Sequence, residues 1–299
     1  MRERDEKEED SAMNVTKKRA ALTAGLLALA LALALGLGGC GEDSAPATPE
    51  EVLAKAQQTM DGVKSLGYDM TMEMSMGMAG QSLEMSTVTT ADTILSPLTM
   101  KAEMAVDMGD LGSTNMTMYV KEENGSYLTA TGIPDADGTV TWETASMDSL
   151  SQLESLDGKA SMDLYLTSAS GFAEGATETV EGVEATRYDG VISGEKLEEV
   201  LEASGVLSQM EGLGLGDVTT MFSGLGDLPV SIWVAKETYY PIKYEMDMAE
   251  MMQSILENAL KQEMGMDVGL TLDKMSVSMV LRDFDQVGEI EIPDGVFAG

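Results

Sequence analysis

The 299-residue sequence contains no histidine and a single cysteine, Cys40. Without histidine there is no imidazole base, no usual zinc ligand and no Ser-His-Asp or Cys-His constellation. One cysteine permits neither an internal disulfide nor a thiolate cluster. Basic residues are also scarce. The 18 Lys+Arg stand against 52 Asp+Glu, and the formal net charge of −34 leaves no basic footprint for nucleic acid. Aromatics are few, with 4 Phe, 2 Trp and 8 Tyr, so a core must be built mainly from aliphatic and thioether side chains. What is present in quantity is methionine, 26 residues, within a hydrophobic fraction of 43% that is ample for a folded core. Carboxylate pairs can run acid–base chemistry, but no pair stands out in a cleft-like pattern. The expectation is a non-enzymatic protein with no cofactor and no metal.

The cysteine has a telling position. Residues 20–39 form an uncharged run rich in Leu, Ala and Gly, long enough to span a bilayer and preceded by Lys17, Lys18 and Arg19. The run ends Leu37-Gly38-Gly39-Cys40, which resembles the bacterial lipobox. That resemblance implies cleavage before Cys40 and acylation of its thiol. The alternative is a retained anchor with an incidental cysteine, but the small, acidic stretch after Cys40 fits an exported linker better. Residues 2–10 are densely charged, unlike a signal-peptide start, whereas Met13 followed by Asn14-Val15-Thr16-Lys17-Lys18-Arg19 has the right order. Translation is therefore expected to begin at Met13. Residues 1–39 hold six basic and six acidic side chains, so the whole −34 belongs to residues 40–299. Such a domain is repelled by anionic headgroups, and the eight-residue linker from Gly41 to Thr48 could hold it about 26 Å away when extended.

Thr48, Pro49 and Glu51 then predict a helix start with a capping box, and Val52, Leu53, Ala56, Met60 and Val63 carry helical spacing over residues 49–65, with Gly67 beyond the last turn. From Tyr68 the period changes to two. Met70, Met72, Met74, Met76 and Met78 alternate with polar residues, and after a turn at Ala79-Gly80-Gln81 the strand pattern continues through Leu83, Met85, Thr87 and Thr89. Met100, Met104 and Val106 repeat it beyond Pro97, and Met116, Met118 and Val120 do so again. Shorter strands are expected near Tyr127-Leu128 and Val140-Trp142, all linked as consecutive antiparallel hairpins. A short helix is expected near 147–157, a strand at Met162, Leu164 and Leu166, another at residues 186–191, and a helix capped by Ser193 and ended by Gly205. Residues 206–228, rich in Gly, Leu and Met, read as a connecting loop or a flap over an apolar site. Strands at 230–234 and 240–248, a helix at 249–264 and a strand through Met275, Val277, Met279 and Leu281 complete the pattern. Residues 49–299 show no second composition regime, so they are expected to form one domain. Asp135-Ala136-Asp137-Gly138 is too short for a calcium loop and reads as a turn.

The order of lipobox, capped helix and long strands leads to three further segments. These are Glu181–Val191, Ile232–Thr238 followed by a Tyr/Pro/Lys strand, and Arg282–Asp285 leading to Ile290-Glu291-Ile292-Pro293. Together they resemble the LppX/LprG-type lipoproteins of mycobacteria within the LolA/LolB-like superfamily, and most closely uncharacterised lipoproteins of Firmicutes. The resemblance covers most of residues 49–295. It implies an α+β fold, a large curved antiparallel sheet (a half-barrel) wrapped around helices and enclosing an apolar cavity for acylated ligands. The abundance of Met and acid and the helix near 249–264 depart from that pattern.

Three readings compete for the methionine strands. They can be ordinary core, since Met fills irregular gaps; a plastic pocket that re-packs around varied acyl chains; or a thioether site for Cu(I), which would lack the His and Cys that usually accompany it. The candidate ligand-binding set is Met70, Met72, Met74, Met100, Met104, Met116, Met118, Trp233, Met246, Met275 and Met279. The expected protein is a monomer tied to the outer face of the cell membrane, in a Gram-positive type envelope, by acyl chains on Cys40. It would bind a lipid or acylated ligand in an apolar cavity and would not bind nucleic acid. The alternative is a surface interaction or sensor module with a filled Met-rich core and no ligand.

Overall fold

Thr48 makes the capping box its sequence announces. Its side chain accepts from the Glu51 N–H and the Glu51 carboxylate accepts from the Thr48 N–H, both at 3.3 Å. This opens a computed structural model that describes residues 48–78, 81–135, 137–147, 158–203, 226–264 and 269–297. The apolar run at 20–39, Cys40, the turn at 79–80, the helix expected near 147–157, Gly205 and the Gly/Leu/Met-rich segment up to residue 225 lie outside the described residues.

Helix α1 (Pro49–Asp61) is shorter than its periodicity predicts. Gly62 takes the C-cap, its N–H turning back to the carbonyls of Thr59 and Met60. Ser65 then begins β1, which places Gly67 inside a strand and not at a helix end. The strands are β1 (Ser65–Met78), β2 (Gln81–Leu95), β3 (Leu98–Asp107), β4 (Ser113–Glu123), β5 (Ser126–Pro134), β6 (Val140–Met147), β7 (Ser170–Val180), β8 (Val183–Ile192), β9 (Leu228–Ala235), β10 (Pro241–Asp247) and β11 (Leu270–Arg282). Helices α2 (Gly158–Ser168), α3 (Gly194–Ala203) and α4 (Ala249–Met264) sit in the connections.

Two expectations fail here. Met162, Leu164 and Leu166 form α2 and not a strand; Gly158, Met162 and Leu166 are its buried positions, four apart as on one helix face. Strand β7 was not expected at all. It is an edge strand with mostly exposed side chains, so it lacks the inward alternation by which a strand is recognised.

All eleven strands join one open, curled antiparallel sheet in the order β6-β5-β4-β3-β2-β1-β11-β10-β9-β8-β7. The chain starts at the centre, meanders to one edge, crosses through α2 to the other edge, and meanders back until β11 pairs with β1. The α+β architecture that the resemblance implied is therefore present. Residues Ala47–Gly299 form one compact unit.

The helices cover one face of the sheet. Leu53, Ala56 and Met60 of α1, Met162 and Leu166 of α2, and Leu197 of α3 bury against Leu66, Tyr68, Ile232, Tyr244 and Met279. Tyr165 and Tyr244 meet at a ring distance of 4.7 Å. Burial pushes both phenols above the ordinary tyrosine range, so both stay protonated near neutral pH.

The opposite face carries charge. Arg282 Nε reaches Asp69 at 2.9 Å, and its Nη1 reaches Asp92 at 3.0 Å and Asp283 at 2.6 Å. Burial alone would lower the guanidinium pKa, but the hydrogen bonds and charges of Asp283, Asp69 and Asp92 outweigh it and hold it above its ordinary value. Gly67 makes this possible, because a side chain there would collide with the Arg282 guanidinium. Beyond β11, Asp285 fastens the chain to Lys64 and Ser65, and Val296 buries against Tyr119 and Ala130 on this outer face.

Candidate ligand-binding face

Antiparallel register converts the alternating methionines of single strands into rows across the sheet. One row runs Tyr244–Met279–Met70–Thr89–Met104–Met116 over β10, β11, β1, β2, β3 and β4. The next runs Val230–Met246–Val277–Met72–Thr87–Val106–Thr114. A third holds Met275–Met74–Met85. These three rows contain no charged side chain, although the chain carries 52 Asp+Glu.

Burial falls off along these rows in a definite direction. Met279 is 1% exposed and Met246 6%, both packed in the main core. Met70 and Met72 are half-buried against its edge. Met104, Met116, Met74, Met85 and Met275 are half-buried outside it. The helices thus close one end of the face, and Gln253 of α4 bonds to Leu270 and Leu272 at the start of β11. Among the described residues the other end, on β1 to β4, is an apolar surface in partial contact with water. Such a surface offers dispersion contact and no carboxylate, amine or thiol, so it suits an aliphatic chain and no acid–base step.

Of the eleven candidates, the ten methionines share this face. Met100, with 3% exposure, Met246 and Met279 belong to its filled core; Met118 packs at the core margin with Met70 and Met72; Met74, Met104, Met116 and Met275 form the open part. Trp233 does not belong with them. Ile232 and Val234 point to the helices, so alternation turns Trp233 outward. There its indole N–H donates to Glu178 at 3.2 Å and the Lys243 ammonium lies 4.4 Å from the ring centre. Trp233 is 3% exposed and belongs to a second, smaller core with Ala185, Ala235 and Ile242 on the outer face, apart from the methionines.

The residue missing from the candidate set is Thr89. It is fully buried between Met70 and Met104, and among the described residues its hydroxyl has no hydrogen-bond partner. The signal was visible in the sequence, since Thr89 occupies an inward position of β2. An orphaned buried hydroxyl costs about 1–3 kcal/mol. Thr89→Val is therefore expected to stabilise the fold by about 1 kcal/mol, read as a higher urea midpoint with unchanged slope. A lower midpoint would show that the hydroxyl is bonded in solution.

The acidic segment at Asp135 behaves as the turn it resembled. The Thr139 N–H donates to Asp137 Oδ1 at 3.0 Å and the Gly138 N–H to the Asp135 carbonyl at 2.8 Å. Among the described residues no three Asp, Glu or Cys side chains gather in a way that could hold a metal ion, and no helix is long and apolar enough to cross a membrane.

A family described as a family of unknown function (DUF6612) matches residues 48–178. No curated protein matches the chain. Among solved structures, the chain is similar to the Mycobacterium tuberculosis lipoprotein LppX at 11% identity and a TM-score of 0.42, with 82% of this chain and 100% of that one covered. It is similar to LprF from Mycobacterium bovis at 11% identity and 0.47, covering 82% and 97%. A LolA superfamily protein from Nitrosomonas europaea matches at 9% identity and 0.22, covering 84% and 98%. These are likenesses of fold.

Proposed function

We propose that this protein is a lipid-anchored binding protein of the cell envelope that takes a long-chain apolar or acylated ligand on the open part of its methionine face. Residues 1–39 act as the export signal, with the start at Met13. Cys40 carries the acyl chains that hold the protein to the outer face of the membrane, and the linker up to Thr48 spaces residues 49–299 from it. The observation that carries this reading is the uncharged thioether surface that continues out of the core across β11 and β1 to β4.

Each methylene withdrawn from water contributes about 0.8 kcal/mol, so ten methylenes laid along the rows gain roughly 8 kcal/mol before the cost of immobilisation. Unbranched methionines re-pack around chains of different length, which rigid β-branched residues would not do. The acidic outer face keeps the domain solvated and off anionic headgroups.

Native mass spectrometry of the purified chain tests the proposal. A co-purified lipid mass beyond that of the acylated polypeptide is expected. Fluorescent fatty acid uptake is expected to fall at least tenfold in Met74→Asp/Met104→Asp. A clean ligand-free mass with no uptake overturns it. The burial of Met100, Met246 and Met279 favours the second reading, an interaction module with a filled core, which predicts that negative result.

A further inference from the structure

On the outer face, away from the methionines, one cross-strand row is built with tall ends and a low middle. It runs Glu103–Thr117–Gly132–Trp142 across β3, β4, β5 and β6. Thr117 and Gly132 leave a trough between the flanking side chains, with a volume of about 200 Å³. That is smaller than typical drug-sized sites of about 300 Å³ and upward, and leaves room for a single ring.

The walls are chemically distinct. On one side the edge of the Trp142 indole and the Val140 side chain close in over Gly132, so near that any Cβ there would strike both. Tyr119 meets Trp142 at 5.6 Å between ring centres and 48° between planes. Ile292, Val296 and Phe297 pack behind this pair and hold it in place. On the other side Lys101 Nζ and Glu103 Oε1 form an ion pair at 2.7 Å, and this hydrogen bond is the main reason the ammonium sits above its ordinary pKa. The lip is thus a closed, neutral pair that still offers donors and acceptors. The Asn115 amide and the Thr117 hydroxyl add both kinds of group.

We propose that this trough is a saccharide-binding site that takes one pyranose ring. A sugar ring has one face of C–H bonds and a rim of hydroxyls. The C–H face matches the fixed aromatic wall, and the hydroxyl rim matches Thr117, Asn115 and the Lys101–Glu103 pair. Charge argues for a neutral ligand. The chain's −34 repels anions, and Glu103 is already held by Lys101, so no free carboxylate of that pair awaits a cation. The trough is open on its solvent side, so neighbouring sugars of a chain can continue along the sheet. The site lies on the opposite face from the proposed acyl site and does not depend on it.

Saturation-transfer NMR on the intact chain tests this, with cellotriose, maltotriose and the β-1,4-linked N-acetylglucosamine trimer as probes at millimolar concentration. Transfer to ring C–H protons of at least one probe is expected. Trp142→Ala and Thr117→Arg, which remove the wall and fill the trough, are each expected to weaken it at least tenfold, while Met74→Asp on the other face leaves it unchanged. Should Trp142→Ala fail to fold, Thr117→Arg decides the matter, because its side chain stands on the sheet surface. No transfer to any probe, or undiminished binding in the trough variants, overturns the proposal.

Discussion

Met279→Ala is expected to cost about 2–5 kcal/mol of folding stability, whereas Met275→Ala, four residues away on the same strand, costs less than about 1 kcal/mol. Both side chains are thioethers on the same face of β11, and both stand opposite a β1 methionine, Met70 and Met74 respectively. They differ in what lies above them. Met279 is 1% exposed within the cluster that includes Tyr68, Tyr244 and Met60, so truncation leaves a cavity that a packed interior cannot collapse into. Met275 is half-buried outside that cluster, so water or a neighbouring thioether fills the space. Urea unfolding of the two variants checks the stability order. Acyl-chain uptake should show the reverse order, with Met275→Ala the more damaging. Equal stability losses would mean that the open part of the face is packed in solution, and would remove the surface on which the proposed ligand sits.

Cys40→Ser is expected to abolish incorporation of labelled palmitate completely and to leave the precursor uncleaved. A serine hydroxyl cannot replace the thiol that the lipobox reading places at the acylation site. The consequence for location follows from anchor strength. One acyl chain binds a membrane only marginally, while two or more hold a protein stably. A domain carrying −34 gains nothing from anionic headgroups, so the proposed attachment would rest on the lipid alone. Metabolic labelling followed by mass spectrometry of the N-terminus checks both points. Palmitate label that persists in Cys40→Ser would place acylation elsewhere, and an N-terminal peptide containing Met1 would refute the start at Met13.

The strands were legible because methionine and polar residues alternate without interruption. Tyr68 to Met78 can only be a strand, and its inward face follows from parity. Helix α1 was legible from Thr48, Pro49 and Glu51, whose roles are local. The failures have equally local causes. In α2, Met162, Leu164 and Leu166 satisfy period two, while Met162 and Leu166 also satisfy a helical step of four, and three residues cannot separate the two. In β7, an edge position leaves both faces largely wet, so no pattern was needed and none was written. Trp233 alternates with Ile232 and Val234, which face the helices, so parity places it on the other side of the sheet from the methionines.

The candidate site divides in the same way. That the methionines line one face was a consequence of sequence spacing alone. Which of them are core and which are open depends on where the helices land. That in turn depends on the crossing from β6 to β7 through α2 and on the pairing of β11 with β1. The outer trough is further from the sequence still, since Glu103, Thr117, Gly132 and Trp142 come from four strands and meet only through register.

The sequence by itself determined the composition of each face, the acidity of residues 40–299 and the singular place of Cys40, because these depend on local spacing and on counts. The tertiary structure decided which end of the methionine face is filled, which way Trp233 points and where a glycine lies beneath an indole. Those depend on contacts between residues far apart in the chain, and local propensity carries no information about them.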